Sequence, residues 1–468
     1  MKITGSELLK LSRSRVVNPD GIKGVSFSGV SIDSRKCRKS EVFFAIKGER
    51  FDGHSFIKDV FGRGVKVVVA EKKWLQKLSG KEKRSFKNRS IVLVDDSIKS
   101  LGELARNYRR KFLIPVVAVA GSNGKTSTKD FIAHVLSAQY SVLKTEANFN
   151  NAIGTPLTLF RLNEKHEICV MEVGTNHFGE VKNLCNIVEP QFGLITNIGK
   201  EHLEFLKDIR GVIKEESELI EYLSENFGTY FLNIDDKHLV KKAAHEEMSA
   251  FTFGSAGTPD VRGRILRYKG FYPEIEIKCA KKKINTVLNT IGSQSYNSAL
   301  CAAAVGFYFD VPAAKIKSAL RNFKPDTGKR NQLKRAGGVW IIDDTYNSNP
   351  DSVRVALENL KAFKTEGKKH IVLADMLELG KQSAKEHKEA GILVKRMGFE
   401  NLYTYGRESF NTFKAAKGIK NNFFFDDKES ISEMLKHTVK KNDIVLVKGS
   451  RSMKMEDVVS GISGAYKI

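Results

Sequence analysis

No run in this 468-residue chain approaches the roughly 20 consecutive apolar residues that a membrane-spanning helix needs, so no membrane insertion is expected. The start, MKITGSELLKLSRSR, has no long apolar core and no small-residue cleavage site, and we read no signal peptide in it. Cysteine is scarce and scattered: Cys37, Cys169, Cys185, Cys279 and Cys301 are odd in number and form no CxxC pair. That argues against a disulfide frame or a cysteine zinc site and fits reduced thiols in a cytoplasm. Zinc-finger and RNA-binding signatures are missing too, which matters because the net charge is +24. The lysines are spread, as in KKWLQKLSGKEKRSFK and KCAKKKIN, and read as a solvated surface with no nucleic-acid partner. A basic chain equally suits small polyanionic substrates. What is present is a globular composition, 41% hydrophobic and 28% charged, with length for about three domains.

The chain is organised around Val116–Asp130, VVAVAGSNGKTSTKD. Val116 to Ala120 reads as a buried parallel strand, Gly121-Ser122-Asn123-Gly124 breaks it, and Lys125-Thr126-Ser127 opens a helix. Strand, glycine loop, lysine and hydroxyl at a helix start make a phosphate cradle. Backbone N–H groups and the helix N-terminus attract phosphate, the lysine adds a point charge, and the hydroxyl reaches Mg²⁺. Val119 stands where the full GxxxxGK pattern has its first glycine.

Around this stretch we expect three α/β units. Residues 1–110 carry short strands at Phe43–Ile46 and Val65–Val69, with a loop of Gly48, Asp52, Gly53 and His54 between them. Alone, Asp33-Ser34-Arg35 is more often a turn than a site, and a lone His54 is more often structural. Residues 111–322 alternate strand and helix patterns, the sign of a mostly parallel sheet whose ligands collect at the strands' carboxyl ends. Glu172 and Gly174, then Asn197, Gly199 and His202, then Asn233, Asp235 and Asp236 stand at such ends. A carboxylate in an apolar strand end is costly without a metal or cation, which favours Glu172 as a Mg²⁺ ligand. Lys214, Glu215, Glu216 and Glu218 follow on a helix that reads equally well as a solvated face. After the polar linker Asn322–Gly328, residues 323–468 form another α/β unit. Its strand ends carry DDTYNSNPDS, DMLELG and KGSRSMKME, which suggest a cleft opposite the phosphate loop.

GSNGKTSTKD, TEANFNNAIGTPLTLF, MEVGTNHFGEV, DDTYNSNPDSV, LADMLELG and VLVKGSRSMKME, taken in order, resemble the Mur ligase family of peptidoglycan synthesis along nearly the whole chain. DSR…FFAIKGERFDGH is similar to that family's uridine-nucleotide domain. The resemblance implies a small α/β uridine-nucleotide domain, a central P-loop ATPase domain and a Rossmann-like C-terminal domain that closes on ATP and the incoming amine. It implies a monomeric ATP- and Mg²⁺-dependent amide ligase that joins D-alanyl-D-alanine to a UDP-N-acetylmuramoyl-tripeptide through an acyl phosphate.

By the same resemblance, Gly121 to Ser127, Asn297, Arg330 and Asp344 contact ATP. Thr126 and Glu172 hold one Mg²⁺, and His202 helps hold a second. Ser34, Arg35, Gly48, Asp52, Gly53, His54, Asn148, Asn150, Asn151, Tyr346, Asn347, Asn349, Lys448 and Arg451 meet substrate. Two departures stand out. The family commonly carries a carbamoylated lysine fourteen residues after the metal-binding histidine. Here that position is Glu216, with Lys214 two residues short, and a two-residue slip turns a helical side chain by roughly 200°. We expect the Glu216 carboxylate to replace the carbamate, with Lys214 the alternative. In GSQSYNSAL, Gln294 stands for the usual histidine and Asn297 lies one place early. A sister amide ligase, a nucleic-acid-stimulated NTPase and a non-catalytic uridine-nucleotide binder are the other readings.

Overall fold

The computed structural model describes residues 2–48, 51–246, 248, 250–325 and 332–465. The valine-rich stretches pair as the β-branched pattern predicts. Val116–Ala120 lies inside a nine-stranded sheet, between Phe192–Ile195 and Ile168–Glu172. From Val142–Lys144 at one edge through to Val261–Lys269, every neighbouring pair is parallel. The carboxyl ends of these strands therefore all open on the same side. Helix Lys125–Leu136 follows the central strand, and the small-residue helix Gly292–Tyr308 packs closely against it.

The other two expected units each have their own sheet. Five strands, ordered Arg15–Val17, Ser90–Val94, Val67–Glu71, Glu41–Phe44, Gly29–Ser31, are parallel except for the first pair. Six strands, ordered Gln332–Ala336, Val339–Asp344, Ile444–Lys448, Lys369–Ala374, Asn401–Tyr405, Asn421–Phe425, are likewise antiparallel only at the first pair. Where a strand was expected, its ends shift by a few residues at most, as end fraying allows.

The sequence reading had no antiparallel extension of the central sheet. Val261–Lys269, Tyr272–Cys279 and Lys282–Val287 form one, exactly where KCAKKKIN had read only as scattered charge. Buried Val261 and Gly263 alternate with exposed Arg262 and Arg264. Across the strands Glu276 accepts from Arg264 at 2.9 Å and pairs with Lys283 at 2.6 Å. The lysines are rungs of a sheet.

Apolar contact joins the sheets. Val116, Leu143 and Met171 share a buried cluster with Val42, Val67 and Leu104 of the first unit. Leu203, Leu206 and Val212 share another with Leu357, Leu373 and Met376 of the last. Each such side chain fully buried contributes about 1.5–3 kcal/mol, so both flanking sheets are seated on the central one. The expected linker begins at the end of helix Ala313–Asn322, and its residues 326–328 lie outside the described residues. Among the described residues no helix is long and apolar enough to cross a membrane.

Candidate active site

Gly121 and Gly124 both adopt left-handed backbone, φ 113° and 83°. A Cβ on Gly121 would stand 2.4 Å from Thr196 Oγ1, so only glycine fits. The loop is sutured to the next strand end. Ser122 N donates to Asn197 O at 2.9 Å, Asn123 N to Asn197 Oδ1 at 3.2 Å, and Gly199 N to Ser122 Oγ at 2.8 Å. Gly121 N donates to Glu216 Oε2 at 2.7 Å. The amides of Gly121, Ser122 and Asn123 thus brace the loop, a correction to the expectation that they cradle phosphate. An anion is left the amides at the helix start, which an α-helix does not use internally.

Lys125 Nζ donates to Gly121 O and to Glu201 Oε2, the latter at 3.2 Å, and lies 3.9 Å from Glu216 Oε1. Burial opposes its charge, but the carboxylates of Glu201, Glu216 and Glu172 outweigh it and hold the ammonium above its usual range. Glu216 is fully buried, and burial pushes its carboxyl well above the usual range. Lys125 pulls it down, and the adjacent Glu201 pushes it further up. The reading of this helix as a solvated face is therefore corrected. Glu215 is buried as well, accepting from Gly179 N at 2.7 Å and Val181 N at 2.9 Å. Lys214 is exposed and rests over the Phe178 ring at 5.7 Å, away from the phosphate loop. The roughly 200° separating the two positions decides which one faces the site.

Glu172 Oε1 accepts from Thr126 Oγ1 at 3.0 Å and from Asn150 Nδ2 at 2.8 Å. Buried Lys129 reaches to 4.0 Å of its other oxygen. His202 faces Glu201 through Nε2 at 3.8 Å and Glu378 through Nδ1 at 2.6 Å. Oε2 of Glu172 and Oε1 of both Glu201 and Glu216 are buried with no hydrogen-bond partner. Unpartnered buried carboxylate oxygens are costly, and a cation would satisfy them. Among the described residues no three His, Cys, Asp or Glu side chains converge as a preformed metal cage. The four expected ligands instead divide, Thr126 with Glu172, and His202 and Glu216 with Glu201 between them. The hydroxyl and carboxylate of the first set suit Mg²⁺, which is bound through one or two carboxylates plus substrate phosphates.

Two cavities meet at this loop, sharing Asn123, Gly124, Gln294, Ser298 and Ser352. One of about 740 Å³ runs past Asn297, Asn233 and Asp235. The other, about 410 Å³, holds Thr126, Ser127, Asn148, Asp344, Tyr346, Asn347, Lys448 and Arg451. Asp344, expected beside ATP with Asn297, lies in the second cavity, where its Oδ2 accepts from buried Lys448 at 2.7 Å. Arg451 stands 5.8 Å from the Tyr346 ring centroid. Arg330 lies outside the described residues.

Other expected substrate residues have local work. Asn349 lines neither cavity: its Oδ1 caps helix Pro350–Ala362 and its Nδ2 donates to Asn123 Oδ1 at 2.9 Å. Asn150 holds Glu172, and Asn151 Oδ1 accepts from Gly154 N at 2.9 Å at the start of helix Gly154–Leu159. In the first unit, His54 is buried with both ring nitrogens engaged, Nδ1 with Asp52 Oδ1 at 2.6 Å and Nε2 with Glu71 N at 3.0 Å. It braces the loop, and its expected contact with substrate is corrected. Gly53 N donates to Ile46 O, and Gly48 N to Phe51 O. Arg35 pairs with Asp33 at 3.0 Å, while Ser34 O accepts from Arg63 at 3.1 Å. Among the described residues, none of the first unit lines either cavity.

Sequence reasoning missed Lys129, Glu201, Asp351 and Glu378. Asp351 Oδ2 accepts from Lys200 N at 2.8 Å, stitching the last unit to the loop before His202. Glu201 was visible as the neighbour of His202. Lys129, one turn after Lys125, was visible as a charge on an otherwise inward face.

Three family models match the chain: "Mur ligase family, catalytic domain" over residues 26–109, "Mur ligase middle domain" over 119–306, and "Mur ligase, glutamate ligase domain" over 329–451. The chain is 32% identical to the UDP-N-acetylmuramoyl-tripeptide--D-alanyl-D-alanine ligase of Bacillus subtilis, over 99% of this chain and 98% of that one. In three dimensions it is similar to MurF of Acinetobacter baumannii, with TM-score 0.88, 25% identity and 99% of both chains covered. It is also similar to MurF of Thermotoga maritima in complex with ADP, with TM-score 0.83, 28% identity, and 94% and 97% covered.

Proposed function

The chain belongs to the Mur ligase family, and on that premise we propose that it is the ATP- and Mg²⁺-dependent ligase that adds D-alanyl-D-alanine to UDP-N-acetylmuramoyl-tripeptide. The observation that carries this reading is the buried cluster of Lys125, Glu201 and Glu216, with unpartnered carboxylate oxygens, packed behind the phosphate loop whose Asn123 and Gly124 line two adjoining cavities. The larger cavity suits the nucleoside. The smaller, lined by residues of both the central and the last unit, suits the reacting carboxylate and the dipeptide.

In the first step an oxygen of the tripeptide's terminal carboxylate attacks the γ-phosphorus of ATP, and ADP leaves. The amine of D-alanyl-D-alanine then attacks the acyl carbon, and the tetrahedral adduct collapses to the amide and phosphate as the amine loses a proton. Two anions have to meet in the first step. Lys125 answers their charge, and its carboxylate neighbours keep it protonated. Thr126 and Glu172 would hold one Mg²⁺, and His202, Glu201 and Glu216 a second. When bound, these ions neutralise charge that develops on the transferring phosphoryl group. Lys448 and Arg451, carried by the last unit, bring positive charge to the smaller cavity.

The three sheets take the three expected roles: uridine-nucleotide binding by 1–110, ATP binding by 111–322, and closure by 323–468. On this reading the chain acts as a cytoplasmic monomer, and its basic surface meets nucleotide substrates with no nucleic acid involved. The test is ADP release with UDP-N-acetylmuramoyl-tripeptide, with and without D-alanyl-D-alanine. Release that needs both supports the reading, and release indifferent to the dipeptide overturns it.

A further inference from the structure

His202 and Glu378 are 176 residues apart in the chain and belong to different sheets' loops, yet His202 Nδ1 and Glu378 Oε2 are 2.6 Å apart. The contact is built from both sides. Glu378 has left-handed backbone, φ 62°, a conformation unfavourable for a residue with a side chain. Its carbonyl accepts from Glu204 N at 2.9 Å, so main chain and side chain together grip residues 202–204. Gly380, also left-handed, lies so close that a Cβ would stand 3.0 Å from Glu204 Cα. Gln382 Nε2 donates to Lys207 O at 3.0 Å. On its other flank the same loop is tied to the strand end that carries Lys448 and Arg451, through Leu377 N and Ser450 Oγ at 2.9 Å.

A neutral imidazole has one donor nitrogen and one acceptor nitrogen. A carboxylate against Nδ1 places the proton there and leaves the Nε2 lone pair free. That nitrogen faces Glu201, which in turn contacts Lys125 on the phosphate loop. Residues that orient a metal-binding histidine in this way commonly govern the metal's affinity.

We propose that Glu378 is a positioning residue of the last unit, which fixes the tautomer and orientation of His202 so that the cation site beside Glu201 is complete only when the last unit is seated. The proposal rests on the metal reading of His202 given above. Seating of the unit that carries Lys448 and Arg451 would then be coupled to cation binding at the phosphate loop.

The test is Mn²⁺ binding by electron paramagnetic resonance to the full chain with ADP present. It compares wild type, Glu378→Ala, Glu378→Gln, His202→Ala and the double variant Glu378→Ala/His202→Ala, each checked by thermal melting. Glu378→Ala is expected to weaken Mn²⁺ binding about 10- to 100-fold, the scale usual for such partners. Glu378→Gln, whose amide oxygen still accepts from Nδ1, is expected to recover part of the loss. Removing Glu378 in the His202→Ala background is expected to cost nothing further. Unchanged Mn²⁺ binding in Glu378→Ala, or an equal further loss in the double variant, would overturn the role of Glu378 alone. A wild-type chain that binds no Mn²⁺ with ADP would overturn the metal reading, and the proposal with it.

Discussion

Glu216 Oε2 accepts the Gly121 amide at 2.7 Å, so a carboxylate on the helix after the His202 loop holds the first glycine of the phosphate loop in place. Its other oxygen has no hydrogen-bond partner and lies 3.9 Å from Lys125 Nζ. In the family this position commonly carries a carbamoylated lysine, which brings a similar pair of oxygens on a longer arm. Glu216→Ala is expected to lower kcat/KM by about 100-fold or more, as loss of a preorganised charged group in a water-poor site does. Wild type is expected to ignore bicarbonate, and Glu216→Lys to require it. Lys214→Ala is expected to stay near wild type. Assays with and without bicarbonate check all three, and full activity of Glu216→Ala would refute the role.

Lys125 sits among Glu201, Glu216 and Glu172 and contacts the phosphate loop's own carbonyl. Lys125→Met keeps the length of the stem and removes the charge. Steady-state kinetics are expected to show kcat lower by about 100- to 1,000-fold, the scale of losing one transition-state donor. Thermal melting is expected to reveal a secondary change, because three buried carboxylates lose their cation.

Asn349 does two jobs, capping helix Pro350–Ala362 and bonding Asn123 on the phosphate loop. Asn349→Ala is expected to cost about 1 kcal/mol for the cap in chemical denaturation. Asn349→Ser keeps a cap but cannot reach Asn123. It is expected to retain stability while lowering dipeptide-dependent ADP release, which separates the two jobs.

Stability should also respond to pH through His370. Burial lowers its pKa from the usual 6.5, although Asp443, 3.0 Å from Nε2, pulls the other way. With the folded value below the unfolded one, the unfolded chain binds the proton first. Its contribution is therefore complete above about pH 6.5 and is lost progressively as pH falls toward the lower folded value. Thermal melts between pH 7.5 and 5, each figure approximate, are expected to show a declining midpoint. His370→Gln is expected to flatten that decline.

Much of this was legible in the chain because the parallel strands are buried on both faces and so read as unbroken apolar runs, Val116–Ala120 most clearly. The polar residues at their ends followed from where such sheets bind ligands. The hairpins over Val261–Val287 were overlooked because their exposed face carries lysine and arginine, although the alternation with buried Val261, Gly263 and Ile277 was there to be counted. His54 and Asn151 have the residue types of a site but serve their own loops, a distinction that only hydrogen-bond partners make. Glu378 was beyond reach, since nothing in DMLELG announces that it meets a histidine 176 residues earlier.

The central claim is that the carboxylate becomes an acyl phosphate on this phosphate loop. It is tested most directly by labelling both oxygens of the tripeptide's terminal carboxylate with ¹⁸O and weighing the phosphate released in the presence of D-alanyl-D-alanine. The account predicts that each phosphate carries one ¹⁸O, the oxygen that bridged carbon and phosphorus, and that the other stays in the new amide. Phosphate without label would contradict it.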